Sequence, residues 1–393
     1  MTDHTPDTRS LDLAEVTWPL KLAMRRLKLG PLTLCLLGFA LYWGVPFLAA
    51  AISGALVSAS FVASQLAPLG LDVLIPQAAS ASTLTVGYAA DTVHLAMALV
   101  VPTVGGWVSL TAIGKFAGLL QLLLDSGQLL VPDETVDAEL AKGNRWLRTP
   151  LAPLLLGIVA TLLAAFMATR CVDDAYVGWW GHRSHGWAGA CFVVAVWGMV
   201  YFGGMALYAL AVGLHVLSRL FLGPVRLRPF STDGCNGFGR VGDYFLLLFA
   251  LSLVVGGAVW ITFGLGYLGV ERFVVTWIGG AFGLATIPLI LILPLTRLTR
   301  RISEARDERF MPIEGVLHRK LEQLERVIGS VNIEREFVDE VESLVKVRDA
   351  LFSVYPSNTF PFRPRIAGIL TASYLIQVVL FLKEGSEAFN YLR

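Results

Sequence analysis

Charged residues are scarce in this chain. Asp, Glu, Lys and Arg make up only 16% of its 393 residues, while 55% are hydrophobic; about a quarter of an ordinary soluble domain is charged. A chain of this composition cannot bury all its apolar surface in one water-bathed core. The net charge of +1 gives no reason to expect a nucleic-acid partner. The composition favours a protein whose partner is the lipid bilayer.

Cysteines and catalytic motifs are also few. The four cysteines are too few and too scattered for a disulfide scaffold or a four-ligand zinc site. No H-E-x-x-H, G-x-S-x-G or P-loop motif occurs, so we predict neither an enzyme nor a bound cofactor. The first apolar run starts near residue 31 and is too long for the core of a cleavable signal peptide. It is expected to remain as a membrane span.

Long apolar runs dominate what is present. A helix needs about 20 mostly apolar residues to cross a bilayer. The segments that approach or exceed this length are 31–56, 92–113, 149–169, 187–218, 244–270, 273–296 and 366–382. The sequence therefore predicts an all-α, polytopic membrane helix bundle with about seven spans. Whether 92–113 and 366–382 cross completely stays open, because the first has a blurred start and the second is short.

Lysine and arginine orient the predicted spans. If the N-terminus is cytoplasmic, 13 Lys and Arg residues lie in the inside segments and 5 in the outside ones, leaving aside the long segment 297–365. Positive residues are retained on the cytoplasmic side. We therefore predict a bacterial inner membrane or an equivalent one, with the N-terminus inside and the C-terminus outside.

Four regions follow from this threading. Residues 1–30 form a cytoplasmic segment with a basic amphipathic stretch, and 31–296 form the transmembrane bundle, with about six spans and a cytoplasmic segment near 114–148. Residues 297–365 form a cytoplasmic helical hairpin, and 366–393 form the last span and a short outer tail.

The hairpin prediction rests on apolar residues at heptad spacing. The first set is Leu317, Leu321, Leu324, Ile328 and Val331, and the second is Phe337, Val341, Leu344, Arg348 and Leu351. The phase breaks between the sets, near Gly329. This pattern predicts two helices joined by a turn. They pack on each other as a brace, or bind a partner or a second copy through 303–355.

A glycine-rich loop precedes the fifth predicted span. Residues 237–242 match G-x-G-x-x-G, but no strand precedes them, so we exclude a dinucleotide site. A nest for an anion or lipid headgroup is one interpretation. Its residues would be Gly234, Gly237, Gly239, Gly242, Arg226, Arg228 and Arg240. The alternative is a tight turn that uses glycine only for backbone freedom.

Ionisable and helix-breaking residues within the spans suggest a transport pathway. Asp91 and His94 are three residues apart at the start of the second span, and His215 lies near the cytoplasmic end of the fourth. Pro102, Gly105 and Gly106 interrupt the second span. Such residues mark ion pathways and broken helices. The alternatives are hydrogen-bonded helix contacts and a kink that serves packing.

The predicted outer loop 170–186 holds two further candidate sites. A divalent metal could be bound by Asp173, Asp174, His182 and His185. The alternative is a solvated loop anchored by Trp179, Trp180 and Trp187 in an interfacial belt. Cys171 and Cys191 flank this loop and form a candidate disulfide; two unpaired thiols are the alternative.

Two functions remain open at this point. A channel or transporter for an ion or small solute is predicted from the broken second span. A membrane-anchored signalling or assembly component is predicted from the hairpin. The first requires a water-accessible path through the bundle, and the second an exposed apolar stripe on the hairpin.

Overall fold

The structure of the protein, a computed structural model, is a bundle of long α-helices. The structure describes isolated positions near both ends of the chain and, without interruption, residues 28–57, 86–228, 235–264, 281–327 and 335–354. These residues contain no strand; isolated bridges join Val86 to Trp179 and Leu129 to Val225. The predicted all-helical class is confirmed for this part of the chain.

Ten α-helices lie in the described part of the chain. In chain order they are α1 (Pro31–Phe39), α2 (Val45–Ile52), α3 (Thr92–Ala98), α4 (Gly106–Asp125), α5 (Asp133–Arg148), α6 (Leu151–Val172), α7 (Ala188–Leu220), α8 (Gly239–Gly264), α9 (Ala281–Val327) and α10 (Arg335–Val354). A first π turn, Ala40–Gly44, joins α1 to α2, and a second, Leu99–Gly105, joins α3 to α4.

Five helical stretches of the described chain are long and apolar enough to cross a bilayer. They are Pro31–Ile52, Val93–Asp125, Asp133–Val172, Ala188–Leu220 and Gly239–Ala258. Each overlaps one of the first five predicted spans. The sixth, 273–296, is described only from residue 281 onwards, and the seventh, 366–382, lies outside the described residues apart from isolated positions. The seven-span count therefore stays a prediction.

The segment predicted as cytoplasmic near 114–148 contains the amphipathic helix α5. Asp133 and Glu134 lie in its first turn and Arg145 and Arg148 in its last, where each sign of charge complements the helix dipole. Its buried residues recur every three or four positions; they are Val136, Leu140, Gly143 and Leu147. This face packs on α7.

The core of the bundle has two parts. The larger cluster lies between α4, α7 and α8 and includes the fully buried rings of Phe116, Phe221 and Phe238. The smaller cluster surrounds Tyr88 and Trp180, where the α6–α7 loop meets the first π turn. By contrast, α6 exposes large apolar side chains such as Leu154 and Leu162. Such a face suits contact with lipid.

Two arginines of α9 hold that helix against the end of α7. Arg297 Nη1 donates to the carbonyl oxygen of Ser218 at 3.1 Å and to its Oγ at 2.6 Å. Arg301 donates to the carbonyl oxygen of Leu222. These donors satisfy carbonyls at the C-terminal end of α7 and complement its dipole. The predicted boundary at residue 297 therefore falls inside one continuous helix.

The two helices that carry the heptad pattern are present and pack on each other. On α10 the predicted positions Val341, Leu344, Arg348 and Leu351 are half-buried. Lys320 of α9 pairs with Glu340 of α10 at 2.6 Å. On α9 the packed face is shifted, because Leu317 is buried whereas Leu321 is 40% exposed.

The remaining heptad positions are not among the described side chains. They are Leu324, Ile328, Val331 and Phe337. The placement of this helix pair in the cytoplasm is likewise a prediction.

Candidate functional site around Asp91 and His94

The carboxylate of Asp91 joins the start of α3 to the α6–α7 loop. Its Oδ1 accepts from the backbone N–H of His94 at 2.9 Å, which caps α3. Its Oδ2 accepts from the indole Nε1 of Trp180 at 2.8 Å and of Trp179 at 3.2 Å. Asp91 is 6% exposed. Three N–H donors thus compensate a buried carboxylate that would otherwise be costly.

The imidazole of His94 lies inside an aromatic box. The box consists of Tyr42, Tyr88, Trp180 and Phe192, whose ring centroids lie 4.9, 5.2, 5.5 and 5.4 Å from that of His94. His94 is 5% exposed. Its Nε2 has no hydrogen-bond partner among the described residues. A buried ring nitrogen with an unused lone pair or proton is a chemically available group.

The first π turn supplies backbone acceptors to this site. Tyr88 Oη donates to the carbonyl oxygen of Trp43 at 2.5 Å, and the His94 ring is hydrogen-bonded to the backbone of Tyr42. A π turn displaces carbonyls from the regular α-helical ladder and often marks a functional site. Burial raises the pKa of Tyr88, and nearby Tyr42 and Asp91 add to the effect. The hydroxyl therefore stays a donor at neutral pH.

The second π turn contains the predicted irregularity of the second span. Pro102 lacks an N–H, and Thr103 Oγ1 donates to the carbonyl oxygen of Ala98 at 3.0 Å. A Cβ at Gly105 would lie 3.1 Å from a methyl of Val254, and one at Gly106 would lie 3.3 Å from the thiol sulfur of Cys35. The glycines thus allow α1 and α8 to approach this turn closely. The helix changes from α to π hydrogen bonding at Leu99 and continues as the α-helix α4 from Gly106.

Trp179 and Trp180 do not form the predicted interfacial belt. Trp180 is fully buried, while Trp187 is 80% exposed. The indole N–H groups of Trp179 and Trp180 instead point inward to the Asp91 carboxylate. The Asp91–His94 pair and the tryptophan loop are separate in the sequence, and the structure brings them together. Tyr42, Tyr88 and Phe192 were not singled out, since isolated aromatics in apolar runs carry no distinguishing pattern.

The structure does not bring the predicted metal ligands of the α6–α7 loop together. Across the described residues no group of three or more His, Cys, Asp and Glu side chains could hold a metal ion. His182 Nδ1 bonds to Ser184 Oγ at 2.8 Å, and His185 Nε2 bonds to the carbonyl oxygen of Val177 at 2.6 Å. Asp174 faces Arg183 at 3.7 Å. Asp173 follows the last residue of α6 as its C-cap, and its carboxylate belongs to no such group.

The predicted disulfide between Cys171 and Cys191 is not formed. Both thiols are free, Cys171 buried and Cys191 half-buried. Cys171 Sγ lies 3.6 Å from the carbonyl oxygen of Met167 and 3.9 Å from that of Gly189. The thiol is thus directed at backbone acceptors of its own helix and of the start of α7, where it acts as a small buried side chain.

The glycine-rich loop before α8 forms a tight turn. Gly237 has φ +94° and Asn236 has φ +57°, which glycine and asparagine tolerate best. A Cβ at Gly237 would lie 2.3 Å from Gln128 Nε2. Arg228 N donates to the carbonyl oxygen of Asn236 at 3.1 Å, and its Nη2 donates to that of Ser126 at 3.2 Å. These contacts favour the tight-turn interpretation.

The anion nest proposed for the same loop stays a prediction. Gly239 and Gly242 lie in the first turn of α8, with Arg240 between them. Gly242 N donates to the carbonyl oxygen of Phe238, and Arg226 N to that of Gln128. Gly234 lies outside the described residues.

His215 lies in a second polar cluster at the far end of α7. Its ring centroid is 4.8 Å from that of Trp146, over which Lys142 Nζ lies at 5.1 Å. Arg219 faces Glu139 at 3.8 Å. Both Phe192 of the aromatic box and His215 lie on α7, and a rise of about 1.5 Å per residue separates them by about 35 Å. His94 of α3 packs on Phe192, so the two predicted histidines lie near opposite ends of α7.

Comparisons of the chain with protein-family models, with curated proteins and with solved structures find no significant match. The case for a function therefore rests on the geometry of the site.

Proposed function

We propose that this protein moves an ion or small solute across a membrane along a pathway that passes Asp91 and His94. The observation that carries the proposal is the buried His94, whose Nε2 has no partner in the described part of the chain. Ionisable groups within membrane depth are costly and mark pathways. Five stretches of suitable length and apolarity supply the membrane-embedded setting.

The two π turns support the same proposal. Irregular helical backbone at membrane depth is tolerated where it is buried in protein or lines a polar site. Both π turns lie beside His94: one bonds it through the Tyr42 backbone, and the other continues directly from α3, which carries it. The cluster around His215 provides ionisable groups at the opposite end of α7.

Flux through reconstituted vesicles tests the proposal. We expect the full chain in liposomes to pass at least one member of a panel of H⁺, Na⁺, K⁺ and Cl⁻ faster than protein-free liposomes. His94→Gln removes the unpartnered ring nitrogen and should reduce that flux about tenfold or more, equivalent to about 1.4 kcal/mol at the barrier.

The matched control for the flux assay is His318→Gln. The His318 side chain is 76% exposed on α9, where it faces Glu322 at 3.3 Å. This variant should pass the ion at the wild-type rate. If His94→Gln passes the ion at the wild-type rate, His94 does not lie on the pathway. If no ion of the panel crosses faster than in protein-free liposomes, the protein is not a transporter of these ions.

We further propose seven spans with the N-terminus cytoplasmic and the C-terminus outside. The charge bias of the sequence supports this orientation. A cysteine at Asp174, whose side chain is 86% exposed, should react with an impermeant maleimide in intact cells. A cysteine at His318, 76% exposed, should react only after the cells are permeabilised. The wild-type chain gives the background from its native thiols, and the reverse pattern would overturn the orientation.

A signalling or assembly role is the second candidate. It is favoured by α9, which runs unbroken from the bundle into the pair of helices with α10. Arg297 and Arg301 fasten α9 to the end of α7, so a movement of α7 would be passed to that pair. Val338 and Val347 of α10 are 44% and 49% exposed and offer apolar surface for a partner or a second copy. Absence of flux in the assay above would favour this role.

A further inference from the structure

We propose that the ion carried past His94 is a proton, and that Nε2 of His94 is the atom that takes it up and releases it. This inference rests on the proposed function and names its substrate. Three features of the site support it: the oxygen ligands open to a metal cation, the acceptor atom open to a proton, and the charges around the imidazole ring.

The site offers few free oxygen ligands to a sodium or potassium ion. Both oxygens of Asp91 already accept N–H donors, from His94, Trp179 and Trp180. An alkali cation needs several oxygen ligands and cannot share them with N–H groups that point at the same lone pairs. Of the backbone carbonyls, that of Trp43 accepts from Tyr88. By contrast, Nε2 of His94 has no hydrogen-bond partner among the described residues.

The tautomer of His94 leaves that nitrogen ready for a proton. The ring is hydrogen-bonded to the backbone of Tyr42, and Nε2 has no partner among the described residues. Because Nε2 has no partner, we assign that bond, and with it the proton of the neutral ring, to Nδ1. In the neutral ring Nε2 then carries the lone pair. Uptake of one proton from water on one side and its release to water on the other leaves His94 unchanged and moves one positive charge.

The aromatic box favours the charged form of the ring. Tyr42 stacks on the imidazole with 23° between the ring planes and 4.9 Å between centroids. A cation within about 6 Å of an aromatic face is attracted by the negative charge of that face. Tyr88, Trp180 and Phe192 complete the box and hold the ring in one position.

The groups that face His94 are few. Asp91, at the cap of α3, is the charged one and favours the imidazolium. Tyr42 from the first π turn and Tyr88 from the segment before α3 are the other titratable groups. Phe192 of α7 and Trp180 of the α6–α7 loop bring no charge. Burial opposes the imidazolium, whereas the Asp91 carboxylate and the aromatic faces of the box stabilise it.

The test combines a titration with a proton-flux measurement on the full chain. Histidine labelled with ¹⁵N reports the charge of each ring, and His94→Gln identifies the His94 signals by their loss. We expect His94 to change charge reversibly between about pH 3 and 8. Phe192→Leu keeps the site apolar but removes one ring of the box, and should lower the midpoint by about half a pH unit.

Proton entry is followed in liposomes loaded with a pH-sensitive dye, with a potassium gradient and valinomycin as the driving force. Wild type and His318→Gln should acidify the lumen at the same rate, and His94→Gln should do so at least about tenfold more slowly. A His94 that keeps one charge state over that range overturns the inference, as does proton entry that His94→Gln leaves unchanged. If either of these results is obtained but another ion crosses the membrane, the proton inference fails and the transport proposal stands. If His94 titrates but no ion crosses, the transport proposal itself is contradicted.

Discussion

Replacement of Asp91 by alanine should lower the free energy of unfolding by about 3–5 kcal/mol. The change removes the cap of α3, which is worth about 1 kcal/mol. It also leaves the indole N–H groups of buried Trp180 and half-buried Trp179 without an acceptor, at about 2–4 kcal/mol for the two together. Asp91→Asn should lower it less, because an amide keeps one acceptor oxygen but turns N–H groups toward an N–H donor. Denaturant titration in detergent, followed by tryptophan fluorescence, measures both.

Asp174→Ala is the matched control for Asp91→Ala. The Asp174 side chain is 86% exposed and lies 3.7 Å from Arg183, itself 65% exposed. Its removal should change stability by no more than about 0.5 kcal/mol. If the two alanine variants are equally stable, Asp91 does not join the α6–α7 loop to the bundle.

The sequence was sufficient for the helices, because their signal is local. Apolar runs of about 20 residues leave few alternatives to a helix in lipid, and the first five predicted spans match five long described helices. The heptad positions of α10 also coincide with its less exposed face. Spacing along one chain segment is enough to place such faces.

The site could not be assembled from the sequence, because its bonds connect distant segments. Asp91 and Trp179 are 88 residues apart, and no spacing rule links a helix cap to an indole in another loop. The predicted metal ligands are not clustered and the two cysteines are not paired, for a related reason. Neighbours in sequence, such as His182 and His185, turned toward their own backbone and side-chain partners in place of a shared ion.

The π turns and the length of α9 also could not be predicted from local sequence patterns. Pro102 was expected to break its span, and the structure accommodates it in a π turn. α9 runs from Ala281 to Val327 through Pro288 and Pro294. Prolines are tolerated in membrane helices where neighbouring groups satisfy the freed carbonyls. Whether a proline ends a helix depends on how the neighbouring helices pack against it. That packing cannot be derived from the local sequence pattern.

Gly189→Ala should destabilise the protein by about 2–4 kcal/mol, because the start of α7 has no room for a methyl group. A Cβ there would lie 1.9 Å from the carbonyl oxygen of Gly181 and 3.2 Å from Cys171 Sγ. The obstacle is backbone, so relief requires the α6–α7 loop to move away, and overpacking of this kind costs about 1–3 kcal/mol or more. That movement should also weaken the bonds of Trp179 and Trp180 to Asp91.

Gly198→Ala separates this steric effect from helix propensity. Gly198 lies on the same helix, and a Cβ there would meet nothing within 4 Å. Alanine favours a helix over glycine by about 0.8–1 kcal/mol, so this variant should be as stable as wild type or slightly more stable. Melting temperatures in one detergent compare the two variants directly, and tryptophan fluorescence reports release of the α6–α7 loop. Equal melting temperatures for both would show that the loop does not pack against the start of α7 as closely as the structure has it.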